Sequence, residues 1–319
     1  MTVEDTVARC VPDAARPIVL GYLSGGISLP ISVLKLTLLL TEPEAIRSLS
    51  DSLAMELRAN SSFHREACRR AEALRLFLGQ HKAGLDRVAA LLQLEKDHHR
   101  SGPTDPVAHA AALFDAWVRE SEEASVALYS FGDASLLATL TTEVVELLES
   151  WNVLGLDRSI LQIGCGAGRF EAALAPRVGA AYGIDISAEM IAAAKRRCAG
   201  LHNVFVQTSS GRDLALFKNS SFDLVYAIDS FPYLHAGGPE LVATHFAEAR
   251  RVLRPQATFI IINFSYRGSP ESDRAEVQEL ARQNGFTILD EAIRPFRLWD
   301  GLAWRLKLQW ADSIDRRCD

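Results

Sequence analysis

The sequence predicts an α/β fold, in which a doubly wound and mostly parallel sheet follows a separate all-helical region. Three observations lead to this prediction. A strand-like run enters a glycine-rich turn at Gly164–Gly168 and continues into a helix, strands and helices then alternate to about residue 310, and the first 125 residues or so contain few strand signals. The 319 residues, of which 48% are hydrophobic, are enough for two domains with cores of their own.

The most informative segment is the glycine-rich turn after the first predicted strand. The apolar run Ile160–Ile163 is followed by Gly164, Gly166 and Gly168, and then by a helical segment. A strand, a glycine turn and a helix N-terminus bring backbone amides close to a nucleotide-like ligand. The dinucleotide fingerprint requires its third glycine three residues after the second, and Arg169 occupies that place here. The spacing therefore departs from that of a dinucleotide site.

An acidic residue follows the glycine turn at a distance that suits a ribose. Asp185 lies at the end of the second predicted strand, Tyr182–Ser187, and 21 residues beyond Gly164. A carboxylate can accept two hydroxyl hydrogen bonds at once, and an acid about 20 residues after the first glycine is a common ribose ligand. Ser187 is a suitable N-cap for the helix that follows.

The remaining elements alternate along the chain. Ala257–Phe264 is a continuous β-rich apolar run, as expected for a strand that is buried on both faces. Pro255 ends one helix, and Gly285 ends the next. Further strands are predicted at residues 203–207, 221–228, 286–293 and 304–310, and helices at residues 241–253 and 272–283.

The glycine turn resembles the first motif of class I S-adenosylmethionine-dependent methyltransferases. Phe222–Val225 resembles the opening of the fourth strand in that family, and the strand pair at the end of the chain resembles the end of its sheet. The resemblance covers roughly residues 126–310. It implies a Rossmann-like, seven-stranded, mostly parallel sheet with an antiparallel last strand. It also implies that the chain is a methyltransferase with S-adenosyl-L-methionine as its cofactor.

The resemblance also implies where the cofactor lies. The backbone of the glycine turn would run beside its amino-acid part, Asp185 would hold the ribose, and Ile186 or Met190 would pack on the adenine. Relatives often have an acid at the adenine edge where this sequence has Ser210, so Asp213 is the expected acid there. The predicted cofactor-binding residues are Gln162, Gly164, Cys165, Gly166, Gly168, Asp185, Ile186, Met190, Gly211, Arg212, Asp213, Asp229 and Ser230.

Segments at the carboxyl ends of the strands are expected to surround the methyl group. Residues 230–233 resemble the Pro-Pro-Tyr motif of amino-group methyltransferases, although Phe231 replaces the first proline. Tyr233 and His235 are the candidate catalytic residues, with His235 as the base if the acceptor must lose a proton. Structural roles remain an alternative for both. The predicted substrate-binding residues are Tyr129, Phe231, Tyr266, Arg267 and Trp299.

Arg267 raises a hypothesis about the acceptor. A guanidinium can hold a carboxylate or a phosphate through two parallel hydrogen bonds, so an acceptor with an anionic group would suit it. The alternative is that Arg267 pairs with a structural acid such as Asp300.

Residues 1–125 are predicted to form a helical cap or dimerisation domain, and residues 126–319 the methyltransferase domain. Helical spacing of Leu, Ala, Arg and Glu indicates five or six helices in the first part. The most apolar run, Ile31–Leu40, is too short to span a bilayer and contains Lys35. We expect this run to be buried over the acceptor pocket, in a homodimer interface, or in both. A stabilising appendage is the alternative.

The net charge and the cysteine content limit the classes of substrate, partner and metal site that the protein is expected to have. The net charge of −6 argues against a nucleic-acid substrate, and nothing in the sequence predicts a membrane segment. Five cysteines without metal-ligand spacing predict reduced thiols in a cytoplasmic protein and no metal. The expected reaction is an in-line displacement by an O, N or C nucleophile of a small-molecule acceptor. The alternatives are a protein or RNA methyltransferase whose helical domain recognises the macromolecule, and a non-catalytic relative that binds the cofactor.

Overall fold

The computed structural model describes residues 2–59, 64–101 and 104–309. Nine α-helices precede the first strand in these residues. They are α1 (Val3–Cys10), α2 (Arg16–Leu23), α3 (Leu29–Leu40), α4 (Pro43–Arg58), α5 (Arg65–Gln80), α6 (Lys82–Ser101), α7 (Pro106–Glu120), α8 (Glu122–Val126) and α9 (Ala134–Ser150). Seven of these helices, α1 to α7, lie within the first 125 residues, and α8 ends at residue 126. The prediction of five or six helices there was therefore too low, because short helices such as α1, α2 and α8 fall below the average helix length that it assumed.

Strands and helices alternate in the second part of the described chain. The strands are β1 (Gly155–Ile163), β2 (Val178–Asp185), β3 (Val204–Thr208), β4 (Phe222–Ile228), β5 (Leu253–Ile262), β6 (Phe286–Ile293) and β7 (Ala303–Leu308). The helices are α10 (Arg169–Leu174), α11 (Ala188–Arg197), α12 (Phe231–Ala236), α13 (Pro239–Val252) and α14 (Pro270–Gln283). Trp310, which was included in the last predicted strand, lies outside the described residues.

The seven strands form one sheet in the order β3-β2-β1-β4-β5-β7-β6. β1 pairs in parallel with both β2 and β4, whereas β7 is antiparallel to both of its neighbours. The predicted sheet with an antiparallel last strand is confirmed. Between β1 and β4 the strand order reverses, and in such sheets ligands bind at this point, outside the carboxyl ends of the strands.

The centre of the sheet is buried on both faces. Every residue of β5 from Phe259 to Ile262 is fully buried, so the strand shows no alternation of apolar and polar positions. Phe231, Phe246 and Trp304 pack in the same apolar core. This rigid centre holds the carboxyl ends of β1, β4 and β5 at fixed positions.

The chain divides into two compact units that do not follow sequence order. We call the first the helical unit; it comprises Met1–Ser101, Ala116–Leu140 and Phe296–Asp300. The second is the sheet unit, which comprises Gly102–Asp115, Thr141–Pro295 and Gly301–Asp319. The first ten residues of α7 thus belong to the sheet unit. The domain boundary between residues 125 and 126 stays a prediction.

The helical unit has an apolar core of its own, built largely from α1 to α6. The apolar run around Lys35 forms α3, in which Val33 and Leu36 are buried while Leu38 is 54% exposed. Among the described residues, no helix has the length and apolar character needed to cross a membrane. The cap and homodimer roles of this unit stay predictions.

Candidate active site

The glycine turn adopts a conformation that other residues rarely take. Gly164, Gly166 and Gly168 have φ angles of 74°, 52° and 74°, all in the left-handed region that glycine tolerates best. The amides of Gly164 and Cys165 donate to the carbonyl of Ile184 at 2.8 and 2.9 Å, which ties the turn to the end of β2. The backbone therefore leaves β1 in a tight loop that leads directly into α10.

Close packing also requires two of these glycines. A Cβ atom on Gly164 would lie 2.5 Å from the Cβ of Ser230, and one on Gly168 would lie 2.9 Å from the Cβ of Ala194. Ser230 donates from Oγ to the carbonyl of Ile163 at 2.7 Å. The turn is thus held between α11 and the residue that precedes α12.

Asp185 is fixed by the glycine turn. Its Oδ2 accepts from the amide of Gly166 at 2.8 Å, and its Oδ1 accepts from the amide of Ser187 at 2.9 Å. Burial of the carboxyl raises the pKa of Asp185, and these two amides oppose that shift. A carboxylate offers about four acceptor positions, so this group can still accept hydroxyl hydrogen bonds from a ribose.

Ser187 is the N-cap of α11, as expected, because its Oγ accepts from the amide of Met190 at 3.0 Å. The same hydroxyl donates to Oδ1 of Asp115 at 2.5 Å, and the amide of Glu189 donates to that oxygen at 3.1 Å. Asp115 lies on α7, some 70 residues earlier in the chain, and sequence reasoning did not find it. Its carboxylate stabilises the N-terminus of the helix beside Asp185.

The start of α7 packs against the residues predicted to lie near the adenine. Arg212 donates to Oδ1 of Asp105 at 2.7 Å, and Oδ2 of the same carboxylate caps α7. A Cβ atom on Gly211 would lie 2.4 Å from a methyl of Ile186 and 2.9 Å from Val107. The sequence signal at Asp105 indicated a helix start, but it did not reveal this contact.

Other predicted cofactor-binding residues are buried around the turn. Gln162 donates from its amide to the carbonyl of Gly164 at 3.3 Å. Burial raises the pKa of the Cys165 thiol well above its ordinary value, so this thiol stays neutral and packs against its neighbours. Met190 is buried, and Asp213 accepts from the amide of Ala215 at 3.2 Å.

A buried acid beneath the glycine turn was not predicted. Glu171, in the first turn of α10, is fully buried, and neither carboxyl oxygen has a hydrogen-bond partner among the described residues. A Cβ atom on Gly183 would lie 2.8 Å from its Oε1. The hydroxyl of the fully buried Tyr226 also lacks a partner within the described part of the chain. Burial raises the pKa of Glu171 to about 8, so its carboxyl is protonated at neutral pH.

Polar and aromatic side chains meet at the carboxyl ends of β4 and β5. Oδ1 of Asp229 accepts from Nδ2 of Asn263 at 2.7 Å and from the hydroxyl of Tyr266 at 2.8 Å. The ring of Tyr233 makes edge-to-face contacts with Tyr266 and with Phe114, at centroid distances of 6.3 and 4.8 Å. Phe114 is a further member that the sequence did not indicate.

Two predicted residues join a network of charges on α14. Nε2 of His235 lies 3.2 Å from Oε1 of Glu276. Arg267 donates from Nε to Asp273 and from Nη1 to Glu276, both at 2.7 Å. These pairs favour a structural role for Arg267, although its partners are not Asp300. Asp300 lies in the helical unit and pairs there with Lys35 at 2.9 Å.

The other three predicted substrate-binding residues make ring contacts within their own units. Phe231 is fully buried against Phe246, Phe259 and Phe264, which favours a core role. Tyr129 and Trp299 belong to the helical unit, where their rings stack at a centroid distance of 5.6 Å. Their contact with substrate stays a prediction.

Comparison with known families identifies the glycine turn and the strands around it. Residues 161–261 match the family model described as a methyltransferase domain. This stretch is a methyltransferase domain, and the match supports the class I S-adenosylmethionine-dependent kind. S-adenosyl-L-methionine is the cofactor of domains of this kind, and the residues present fit it, because the left-handed glycines form the tight turn after β1 and Asp185 has acceptor positions for a ribose.

The methyltransferase domain also resembles curated and solved proteins. It is 28% identical over 146 residues to phosphoethanolamine N-methyltransferase 1 of Arabidopsis thaliana, a match that covers 46% of this chain and 28% of that protein. The chain thus spans little more than a quarter of the curated relative that it matches.

Two solved structures illustrate the likeness. A SAM-dependent methyltransferase from Methanosarcina mazei is 21% identical, with a TM-score of 0.41 and coverage of 50% of this chain and 97% of that one. The N-methyltransferase NodS from Bradyrhizobium japonicum, in complex with S-adenosyl-L-homocysteine, is 18% identical, with a TM-score of 0.42 and coverage of 54% and 87%.

A matched pair of substitutions, at Gly164 and at Gly200, tests the close packing of the glycine turn. Gly164 and Gly200 have φ angles of 74° and 87°, but a Cβ atom on Gly200 would meet nothing within 4 Å. We expect Gly200→Ala to cost about 1–2 kcal/mol of stability through backbone strain alone. Gly164→Ala should cost more, because its methyl would collide with Ser230, and it alone should weaken binding of S-adenosyl-L-homocysteine. Urea unfolding and calorimetry measure the two effects, and equal losses in both variants would contradict the packing argument.

Proposed function

We propose that this chain transfers a methyl group from S-adenosyl-L-methionine to a small-molecule acceptor. The observation that carries the proposal is the glycine turn whose amide at Gly166 is bonded to Asp185 at 2.8 Å. When bound, the cofactor supplies an activated methyl group on a positively charged sulfur. The chain's own residues bind and orient the reactants around that group.

Methyl transfer requires mainly positioning. An in-line displacement is fast when the nucleophile is held about 3 Å from the carbon that it attacks, so orientation contributes most of the acceleration. Asp229, Tyr233 and Tyr266 follow β4 and β5 at the carboxyl edge of the sheet, where Ser230 contacts the glycine turn. Their position supports an acceptor site there. The catalytic roles of Tyr233 and His235 remain proposals.

Two features support a small acceptor. The net charge of −6 provides no general attraction for nucleic acid. The curated relative from Arabidopsis thaliana is named for phosphoethanolamine, a small amine-bearing molecule. We further infer a cytoplasmic location from the cysteine pattern. We also infer that the helical domain acts as a cap or as a homodimer interface, because it contains the apolar run Ile31–Leu40.

Two successive experiments, a cofactor-binding measurement and a turnover assay, test the proposal. Calorimetry with S-adenosyl-L-homocysteine should show binding to the full chain, and Gly164→Ala serves as the binding-deficient control. The chain is then incubated with S-adenosyl-L-methionine and separate metabolite, protein and RNA fractions, and formation of S-adenosyl-L-homocysteine is measured. We expect turnover with the metabolite fraction. Turnover with protein or RNA alone would identify a macromolecular acceptor instead, and binding without turnover would identify a non-catalytic relative.

A further inference from the structure

One face of the central sheet carries polar groups where an apolar surface is usual. Gln162 on β1 is in register with Tyr226 on β4 and with Gly183 on β2, so all three positions point to the same face. Because Gly183 has no side chain, there is room beside it for the carboxyl of Glu171, whose Oε1 would lie 2.8 Å from a Cβ atom on that glycine. Glu171 thus reaches from α10 into a buried polar row that crosses three strands.

Glu171 also packs against the inner side of the glycine turn. A Cβ atom on Gly183 would lie 2.7 Å from the Cβ of Cys165, the second residue of the turn, so Cys165 and Glu171 meet over the same glycine. Because buried side chains fill the inner side of the turn, a cofactor must bind on its outer side. One layer of backbone then separates the cofactor from the carboxyl of Glu171.

Opposing effects set the ionisation of Glu171. Its carboxyl is fully buried, and neither oxygen has a hydrogen-bond partner in the described part of the chain, which disfavours the charged form. The negative charge of Asp185 acts in the same direction, whereas the positive charge of Arg169 favours ionisation. A further positive charge nearby would therefore shift the balance toward the carboxylate.

The other titratable groups around Glu171 are uncharged at neutral pH. Burial raises the pKa values of the thiols of Cys165, in the turn, and Cys198, at the end of α11, and that of the Tyr226 hydroxyl. These three groups therefore supply no charge with which Glu171 could pair. Its ionisation depends instead on the charge of a ligand at the turn.

The cofactor and its product differ in the charge on sulfur. S-adenosyl-L-methionine carries a positively charged sulfonium, whereas S-adenosyl-L-homocysteine has a neutral thioether at the same place. A negative charge beneath the turn attracts the first and not the second. Charges on either side of one layer of backbone are about 10 Å apart, and at an effective dielectric constant of about 20 such a pair changes a binding constant on the order of tenfold.

We propose that Glu171 determines the preference for cofactor over product, by releasing its proton when S-adenosyl-L-methionine binds and regaining one when S-adenosyl-L-homocysteine has formed. The inference rests on the cofactor of the proposed function and does not depend on the acceptor. In the transfer, the acceptor's lone pair forms the new bond to the methyl carbon, and the electron pair of the broken S–C bond stays on sulfur. The proton released on binding goes to solvent, and solvent returns one once the sulfur is neutral.

Calorimetry in two buffers of different ionisation enthalpy counts the protons released on binding. The full chain is titrated at about pH 7.5 with each of the two ligands. A tenfold effect lowers the pKa of Glu171 from about 8 to about 7, so the wild type should release about half a proton more than Glu171→Gln on binding S-adenosyl-L-methionine. With S-adenosyl-L-homocysteine, the two proteins should release the same number. Comparison with the variant removes the contribution of the ligand's own amino group.

The relative affinity for the two ligands should follow the same titration. Rising pH ionises Glu171, and the ionised form attracts the sulfonium. Between about pH 6 and pH 9, the preference for S-adenosyl-L-methionine should increase up to about tenfold more in the wild type than in Glu171→Gln. Glu271→Gln, at an exposed position in α14, should behave as the wild type.

Two outcomes of these titrations would overturn the inference. If the wild type and Glu171→Gln release equal numbers of protons with S-adenosyl-L-methionine, another group such as Asp185 titrates. If the two proteins differ equally with both ligands, the proton release follows closure of the turn and not the charge on sulfur.

Infrared spectroscopy tests the inference without a substitution. The wild-type chain is prepared with ¹³C in the side-chain carboxyls of glutamate, which separates their bands from that of Asp185. Binding of S-adenosyl-L-methionine at about pH 7.5 should reduce a carboxylic-acid C=O band of glutamate by about half or more, and S-adenosyl-L-homocysteine should leave it unchanged. A band that persists under saturating S-adenosyl-L-methionine would contradict the inference.

Binding and turnover distinguish failure of this inference from failure of the proposed function. Binding of S-adenosyl-L-methionine without proton release from Glu171 would refute the inference and leave methyl transfer intact. Proton release without turnover in the metabolite, protein or RNA fractions would support the inference and refute methyl transfer. If neither ligand binds, both proposals fail.

Discussion

Replacing Glu171 with glutamine is expected to raise the free energy of unfolding at alkaline pH. Burial raises the pKa of this acid from 4.5 to about 8. A raised pKa in the folded state contributes stability that is complete below about pH 4.5, falls as the pH rises toward 8, and is absent above it. At about 1.4 kcal/mol for each pH unit, the loss is on the order of 4–5 kcal/mol. Glutamine carries no charge at any of these pH values, so the variant avoids the loss.

Urea unfolding of both proteins between pH 5 and pH 9 measures this difference. We expect similar stability near pH 5 and an advantage for Glu171→Gln that grows up to about pH 8. Glu271→Gln, on the exposed start of α14, is the control and should change the profile little. Parallel profiles for the wild type and Glu171→Gln would show that the buried acid is ionised throughout, contrary to its surroundings.

Asp185→Ala is expected to weaken binding of S-adenosyl-L-homocysteine by about 1–3 kcal/mol, the usual cost of losing hydrogen bonds to a charged group. The carboxylate also holds the amides of Gly166 and Ser187 at 2.8 and 2.9 Å. Part of the loss will therefore come from the glycine turn itself. Calorimetry gives the total, and Asp157→Ala, at an exposed position in β1, serves as the control.

A ligand without ribose hydroxyls separates the two contributions. The wild-type chain should bind the 2′,3′-dideoxy analogue of S-adenosyl-L-homocysteine more weakly than the natural ligand. In Asp185→Ala this discrimination should disappear, because the group that accepts from the hydroxyls is absent. Unchanged affinity for the natural ligand in Asp185→Ala, or discrimination that persists in the variant, would refute the ribose assignment.

Much of the cofactor site follows from local sequence. Positive φ at Gly164 and Gly168 is a property of the turn itself, and only glycine adopts it at little cost. Asp185 falls at the end of β2 because a strand, a turn, a helix and a second strand occupy a nearly constant number of residues. Ser187 caps α11 by accepting a hydrogen bond from the amide of Met190, three residues further along the chain. Short-range geometry therefore made these residues predictable.

The long-range contacts of the site were less predictable, because their side chains are far apart in the sequence. Phe114 reaches Tyr233, and Asp115 reaches Ser187, although more than 70 residues separate the members of each pair. Arg267 could be singled out by its residue type, but its partners Asp273 and Glu276 depend on how α14 packs.

The amino-acid sequence by itself determined the order of the strands, the left-handed glycine turn and the acid that follows it. Each of these depends on interactions within a few residues or on the fixed length of one strand–helix–strand unit. Only the tertiary structure decided that the start of α7 joins the sheet unit and that Glu171 is buried without a partner among the described residues. The physical reason is that an apolar pattern shows which face of a helix is buried, but not which surface covers it.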